Sequence, residues 1–86
     1  MGMAAAYKAQ RILANAHLVV AAELLCGAQG LEFLRPLRAG RGVERLYQRL
    51  RSLTPAVATL AEDRPPGPDL ERLARAVAAG ELDPAA

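Results

Sequence analysis

The fold of this chain is decided by residues 18–28, which read LVVAAELLCGA. Glu23 is the one charged side chain in this stretch, so a helix formed here is apolar on every side and must be buried, in protein or in lipid. The run covers about eleven residues, whereas a bilayer requires about 20, so we predict burial in protein and no membrane partner. The candidates for this packing are Leu18, Val19, Glu23, Leu24, Leu25 and Gln29.

The same helix extends well ahead of that stretch. Residues 3–29 contain no proline, and Lys8, Arg11 and Asn15 recur at the spacing of a polar helix stripe. We predict one helix over residues 3–29, roughly 40 Å long at about 1.5 Å per residue, with Gly30 following its last turn. The rest of an 86-residue chain can cover only one or two sides of it. The remaining surface should belong to another chain or to an absent part of the protein.

A second helix is predicted from Val43 to about Leu53, because apolar residues at 43, 46, 47 and 50 share one helix face. Pro55 ends this helix or forces a break in it. We expect a further helical turn over residues 56–61. The proline-rich residues 64–68 then form a rigid, non-helical connection.

The last helix is predicted to begin at Asp69, whose carboxylate is a good N-cap, and to end at Gly80. Its apolar face consists of Leu70, Leu73, Ala74, Val77 and Ala78. No alternation of apolar and polar residues indicates a strand. The predicted fold class is therefore all-α, with one long helix followed by two or three short helices in a single segment over residues 1–86.

The basic residues are unevenly placed, although the net charge of +2 is too small to indicate nucleic-acid binding by itself. The stretch whose only acid is Glu44 contains Arg35, Arg38, Arg41, Arg45, Arg49 and Arg51. A row of arginines suits phosphate, yet the sequence has no glycine-rich phosphate motif and no recognisable DNA-binding signature. We therefore favour a solvated face, or arginines that pair across a subunit interface, over a nucleic-acid partner.

Three single residues have both a functional and a structural interpretation. Glu23 is either an active-site carboxylate with a raised pKa or a buried structural acid paired with a donor, and we favour the second. His17 and Cys26 point to opposite sides of one helix and cannot share a metal ion, so no metal site is predicted. We expect Cys26 to be a small core residue and His17 to lie at the helix surface or a packing boundary. A single cysteine excludes an intrachain disulfide and favours a reducing, cytoplasmic location.

Several motifs in order along the chain resemble one family. Residues 23–33, ELLCGAQGLEF, are similar to a segment that reads Glu-Leu-Leu, small residues, Gln-Ala/Gly-Leu-Asp-Phe in the histidine ammonia-lyase branch of the aromatic amino acid lyases. Pro36-Leu37 before Gly40 and Gly42 resembles that family's Pro-Leu-Lys-x-Gly stretch. The structural motif Glu62-Asp63-Arg64, followed by Pro68-Asp69-Leu70, resembles its Glu-Asp-Arg…Pro-Asp-Ile ending. Asn15, Tyr47, Arg51 and Gly80 fit the same order.

The resemblance implies a helical fragment of a much larger enzyme. Family members are all-helical homotetramers whose long helices pack into a central bundle. They convert histidine, or a related aromatic amino acid, to ammonia and an unsaturated acid such as urocanate. Their electrophile, methylideneimidazolone, forms from an internal Ala-Ser-Gly. The resemblance leaves histidine, tyrosine and phenylalanine open as the substrate.

The residues that catalyse this reaction in the family do not occur in the sequence. Ser52 is the only serine and lies between Arg51 and Leu53, so no Ala-Ser-Gly exists. Tyr7 and Tyr47 lie in helical patterns and do not match the family's loop tyrosine. The family's late active-site glutamate or glutamine comes just before the first helix. We therefore predict no catalytic, cofactor-binding or metal-binding residue in the chain, and no activity of the chain alone.

Three functional hypotheses follow. The leading one is the C-terminal helical portion of a histidine ammonia-lyase-like enzyme, as a truncated product, a fragment or a small subunit. Its partner through the long apolar helix is a second copy or the remainder of a lyase. A second hypothesis is a split enzyme that this chain completes. The third is a basic helical module that binds an acidic partner or nucleic acid through its arginines.

Overall fold

The computed structural model describes residues 2–83, so residues 1 and 84–86 of the predicted segment lie outside the described part. The three helices within it are α1 (Gly2–Phe33), α2 (Arg41–Arg51) and α3 (Gly67–Ala79). No strand occurs among residues 2–83. The predicted all-α class is confirmed, with one long helix and two short ones.

The first helix is longer than its glycines suggested. α1 continues through Gly27 and Gly30 to Phe33, so the predicted end at Gly30 is wrong. A helix-ending glycine takes a positive φ, but of the described residues Gly80 alone does so. Beyond Phe33 the chain leaves the helix in a tight turn, where the Leu34 amide donates to the Leu31 carbonyl at 3.1 Å and the Leu37 amide donates to the Leu34 carbonyl at 2.9 Å.

The second helix is confirmed but shifted, because α2 begins two residues before Val43 and ends two residues before Leu53. The Glu44 amide donates to the Gly40 carbonyl at 2.8 Å, which closes the first turn of α2. At the other end the Ser52 hydroxyl donates to the Gln48 carbonyl at 2.7 Å. On the predicted apolar face Leu50 is only 2% exposed and Leu46 and Tyr47 are half-buried, whereas Val43 is 54% exposed. Ser52 therefore stabilises the end of α2.

The predicted helical turn over residues 56–61 is wrong, because the chain between α2 and α3 contains no helix. Arginine side chains donate hydrogen bonds to backbone carbonyls that would otherwise accept the hydrogen bonds of a helix there. Arg51 donates to the Val57 carbonyl at 2.9 Å, and Arg64 donates to the Ala58 carbonyl at 2.6 Å. Each such contact replaces a helical hydrogen bond with one that fixes an irregular path.

The third helix starts two residues before Asp69, so the predicted N-cap is wrong. Pro68 lies in the first turn, where a missing amide hydrogen costs nothing. Asp69 lies inside that turn and pairs with Arg64 at 2.8 Å. The end at Gly80 is confirmed, with φ of 75°. On the predicted apolar face Leu73 is fully buried, whereas Ala78 is exposed and Ala76 is buried in its place.

The core lies between α3 and the middle of α1, with the chain after α2 closing one side. Its buried members are Ala21, Ala28, Leu50, Val57, Leu73, Ala76 and Leu82. Only Ala21 and Ala28 come from α1, although α1 is the longest element. Most of the apolar surface of α1 therefore lies outside the core.

Replacing Leu73 by alanine should destabilise the fold by about 2–5 kcal/mol, because it removes a fully buried side chain and leaves a cavity. Urea unfolding followed by helical circular dichroism measures the change. Leu37→Ala is the matched control, since Leu37 is 72% exposed and should cost less than about 0.5 kcal/mol. Equal shifts for the two variants would show that the described core is wrong.

Candidate assembly surface

The first half of α1 projects beyond the core. Every residue from 2 to 16 is exposed. Large apolar side chains are among them, and Ile12 is 59% exposed. Further along the helix, Val19 is 61% exposed and Phe33 at the end is 80% exposed. Monomeric soluble proteins rarely leave contiguous apolar surface of this extent open, so α1 presents a candidate assembly surface.

The packing candidates from residues 18–29 fall on different sides of α1. Leu18 and Val19 are exposed, at 42% and 61%. Leu24 and Leu25 are half-buried against the core. The Gln29 side-chain oxygen Oε1 accepts a hydrogen bond from the Leu60 amide at 3.1 Å. Gln29 therefore holds the irregular segment, residues 52–66 between α2 and α3, against α1.

Two residues expected to be buried are exposed. Glu23 and Cys26 lie on the side of α1 that faces away from Ala21 and Ala28. The prediction of Glu23 as a buried, paired acid and of Cys26 as a core residue is therefore wrong within this chain. Their apolar neighbours in sequence gave the signal of burial, but the chain covers only one side of the helix. His17 is half-buried, at the packing boundary where it was predicted.

By length and composition alone, α1 is also long and apolar enough to cross a bilayer. An 18-residue window has a mean hydropathy of 1.4, and 11% of it is buried. Lys8, Arg11 and Glu23 lie along the helix. Charged side chains cost about 2.5–3.5 kcal/mol each at the centre of a bilayer, which favours a protein neighbour for this surface.

Behind this surface, Glu32 joins three parts of the chain. Its carboxylate accepts hydrogen bonds from the Tyr47 hydroxyl and, at 2.9 Å, from the Thr59 hydroxyl. The Arg51 Nε lies 3.5 Å from the same carboxylate. The Arg51 guanidinium also lies 5.5 Å from the centre of the Tyr47 ring. Glu32 thus connects α1, α2 and the irregular segment, a role that periodicity alone did not indicate.

A second acid, Glu44, fixes the turn between α1 and α2. Arg35 donates to both of its carboxylate oxygens at 3.0 Å. The Gln48 side chain donates at 3.1 Å and the Ala39 amide at 3.3 Å. The hydrogen bonds from Arg35, then Gln48, lower the pKa of Glu44 from 4.5 to about 2. The same contact raises the pKa of Arg35.

The arginine stretch divides into two sets. Arg35 and Arg51 pair with Glu44 and Glu32 inside the chain, whereas Arg38, Arg41 and Arg45 are exposed, as expected for a solvated face. Arg38 remains 72% exposed, with one nitrogen 3.8 Å from Glu44. Outside the stretch, Arg72 is 8% exposed and donates to the Thr54 carbonyl at 2.9 Å and to Glu81 at 2.8 Å.

In the predicted structural motif Glu62-Asp63-Arg64, the three residues differ in role. Glu62 and Asp63 are exposed. Arg64 is half-buried and bridges the irregular segment to the first turn of α3 through Asp69 and the Ala58 carbonyl. Arg64 is therefore the member of the motif that holds the fold.

The described residues do not fit the electrophile that the resemblance implies. Ser52, the only serine, has its hydroxyl bound to the Gln48 carbonyl at the end of α2. No group of three or more His, Cys, Asp or Glu side chains that could hold a metal ion occurs within residues 2–83. Glu32 and Glu44 are each bound to an arginine and to neutral donors. The feature of the described residues that is available to a partner is the exposed apolar side of α1. The ion pairs of Glu32 and Glu44 hold the neighbouring segments in place.

The chain is similar in sequence to members of one family, the aromatic amino acid lyases. The sequence model of the aromatic amino acid lyase family matches residues 1–52. A histidine ammonia-lyase of Deinococcus radiodurans is 49% identical over 82 residues, which are 95% of this chain and 15% of that protein. The one from Symbiobacterium thermophilum is 45% identical over 95% of the chain and 16% of that protein.

A human histidine ammonia-lyase is 42% identical over 83% of the chain and 10% of that protein. This chain thus spans about a sixth or less of the length of these relatives. No solved structure matches it.

Acid should destabilise the chain through Glu44. The folded pKa of about 2 lies below the usual value of 4.5, so its contribution to stability is fully present above about pH 4.5 and is lost as the pH falls toward 2. Glu44→Gln should flatten the stability profile over that range, as measured by urea unfolding at each pH. Glu62→Gln, an exposed acid, is the control and should keep the wild-type slope. An unchanged slope in Glu44→Gln would contradict the assignment.

Proposed function

The chain belongs to the aromatic amino acid lyase family, and from that membership we propose that it is a non-catalytic helical portion of a histidine ammonia-lyase-like enzyme. The observation that carries the proposal is 49% identity to a histidine ammonia-lyase over 95% of the chain. In the complete enzyme the reaction would be removal of ammonia from histidine to give urocanate. The electrophile would belong to a part of the enzyme that these 86 residues do not include.

The task of this portion is to supply the long helix of an assembly. The exposed apolar surface of α1 supports this, because it requires a protein neighbour that residues 2–83 do not provide. The neighbour is the remainder of a lyase or a second copy of the chain. The assembly is an oligomer in the cytoplasm, where a reducing environment suits the exposed thiol of Cys26.

The two other hypotheses have unequal support. A split enzyme that this chain completes uses the same surface of α1, so the structure favours it equally. A basic binding module needs guanidinium groups free to meet an acidic partner. Arg35 and Arg51 contact acids within the chain, but Arg38, Arg41 and Arg45 are exposed. Assembly through α1 is preferred because the family match and the exposed apolar side of α1 both support it.

A complementation assay tests the proposal. The Deinococcus radiodurans protein, shortened by the segment that matches this chain, is co-expressed with the chain and supplied with histidine. Urocanate absorbance should appear for the pair and for neither component alone. Val19→Asp should lower the restored rate, because it places a charge on the assembly surface.

Ser52→Ala is the matched control, since its hydroxyl only caps α2 and the restored rate should persist. Urocanate formation by the chain alone would contradict a non-catalytic role. Failure of the pair to form a complex would overturn the proposed place of the chain in the enzyme.

A further inference from the structure

A basic pocket of about 400 Å³ lies between α2, the turn that precedes it and the irregular segment. This volume is within the roughly 300–1,000 Å³ that is typical of small-molecule sites. Three arginines line the pocket, and no acid occurs among its lining residues in the described part of the chain. We call it the arginine pocket. Its polar lining residues are Arg35, Arg38, Arg51, Tyr47, Gln48 and Thr59.

Two of the three guanidinium groups are held beside one aromatic ring. The guanidinium of Arg35 lies 4.5 Å from the centre of the Tyr47 ring, and that of Arg51 lies 5.5 Å from it. Both side chains are largely buried, at 26% and 13% exposure. Their positive charges are therefore fixed in place before any ligand arrives, which lowers the entropic cost of binding one.

The acids beside the arginine pocket match two of its three positive charges. Glu44 pairs with Arg35, and Glu32 pairs with Arg51. Arg38 comes only within 3.8 Å of Glu44, whose two oxygens already accept four hydrogen bonds. A carboxylate has about four acceptor positions, so Glu44 has none left for Arg38. The charge of Arg38 is therefore left without an acid of its own among residues 2–83.

The walls also carry hydrogen-bond donors that the fold does not use. A guanidinium has five N–H groups and a side-chain amide has two. Three hydrogen bonds use the N–H groups of Arg35, and one uses those of Gln48. Within residues 2–83, Arg38 makes only its ion pair with Glu44. Unused donors on three side chains around one pocket form a site for an anion.

Arg51 favours an anion for a different reason. Its Nη1 donates to the Val57 carbonyl at 2.9 Å. Its Nε and Nη2 are buried and have no hydrogen-bond partner within residues 2–83, although Nε lies 3.5 Å from Glu32. A buried charge that is incompletely paired is costly. A second negative charge in the pocket would compensate Arg51 further.

We propose that the arginine pocket binds a phosphate dianion. The phosphate oxygens accept hydrogen bonds from Arg38 and from the unused N–H groups of Arg35 and Gln48, and Arg51 contributes its charge from the wall. Phosphate is favoured over a monocarboxylate because it has more charge and more oxygen atoms to meet several guanidinium groups at once. Side chains form this site, so it needs no glycine-rich phosphate loop.

The arginine pocket is separate from the assembly surface, since none of its lining residues belongs to α1. Phosphate binding and the proposed function can therefore fail independently. The shortened lyase of the complementation assay makes it possible to test the pocket with and without a neighbour.

Isothermal titration calorimetry of the full chain with inorganic phosphate, at an ionic strength held constant with sodium chloride, tests the proposal. Arg38→Gln should weaken phosphate binding about tenfold, because it removes a charged donor. Arg41→Gln is the matched control, since Arg41 is equally charged and exposed but does not line the pocket. It should weaken binding by less than about twofold. Equal weakening by both variants would show general attraction to a basic chain and would overturn the site.

Nuclear magnetic resonance locates the bound phosphate. The side-chain amide of Gln48 and the Nε–H groups of Arg35 and Arg38 should shift during the titration, and those of Arg41 and Arg45 should not. Shifts of all the exposed arginines, without one from Gln48, would contradict binding in the pocket.

Addition of the shortened lyase distinguishes phosphate from an acidic side chain of a neighbouring segment as the occupant. Phosphate should bind the complex about as tightly as it binds the chain alone. Loss of phosphate binding in the complex would show that the neighbour fills the pocket, which would overturn this proposal and leave the proposed function in place. Absence of binding to the chain alone at about 10 mM phosphate, tenfold above a Kd of about 1 mM, would overturn it as well.

Discussion

The long helix carries apolar side chains around its circumference, but the chain buries it on one side only. Within α1, Ala21 and Ala28 are the buried residues, at 0% and 5% exposure. Val19 on the far side is 61% exposed. Hydrophobic surface contributes to stability in proportion to the area removed from water. Most of the stabilisation available to α1 is therefore realised only when something else covers it, and the assembly proposal follows from that constraint.

The other side of α1 shows how the chain positions its own elements. Glu32 holds α2 and the irregular segment through Tyr47, Arg51 and Thr59. Arg72 holds the same segment from α3 through backbone carbonyls. These contacts satisfy groups that a helix or strand would otherwise pair. They also use charges within the fold, which leaves the apolar side of α1 as the principal surface for a partner.

Periodicity predicted α2 and α3 because each has one apolar face, and the long stretch without proline predicted α1. Gly80 ended α3 as expected, since its positive φ suits glycine. Local signals failed where distant contacts decide the path. Residues 56–61 follow an irregular path because Arg51 and Arg64 donate to their backbone carbonyls. Asp69 pairs with Arg64 instead of capping α3.

The prediction for Glu23 failed for a different reason. The sequence showed that the neighbours of Glu23 are apolar. It could not show that no other part of residues 2–83 packs against that side of α1. The family resemblance was readable from ordered motifs, and the comparisons confirm it.

Hydrogen exchange along α1 tests most directly the central claim that α1 requires a partner. In dilute chain, amides of residues 2–16 should exchange rapidly and those of 17–32 slowly. Protection should spread to 2–16 when the shortened lyase is added or, where the neighbour is a second copy, as concentration rises. Equal protection of both halves at every concentration would contradict the claim that α1 requires a partner.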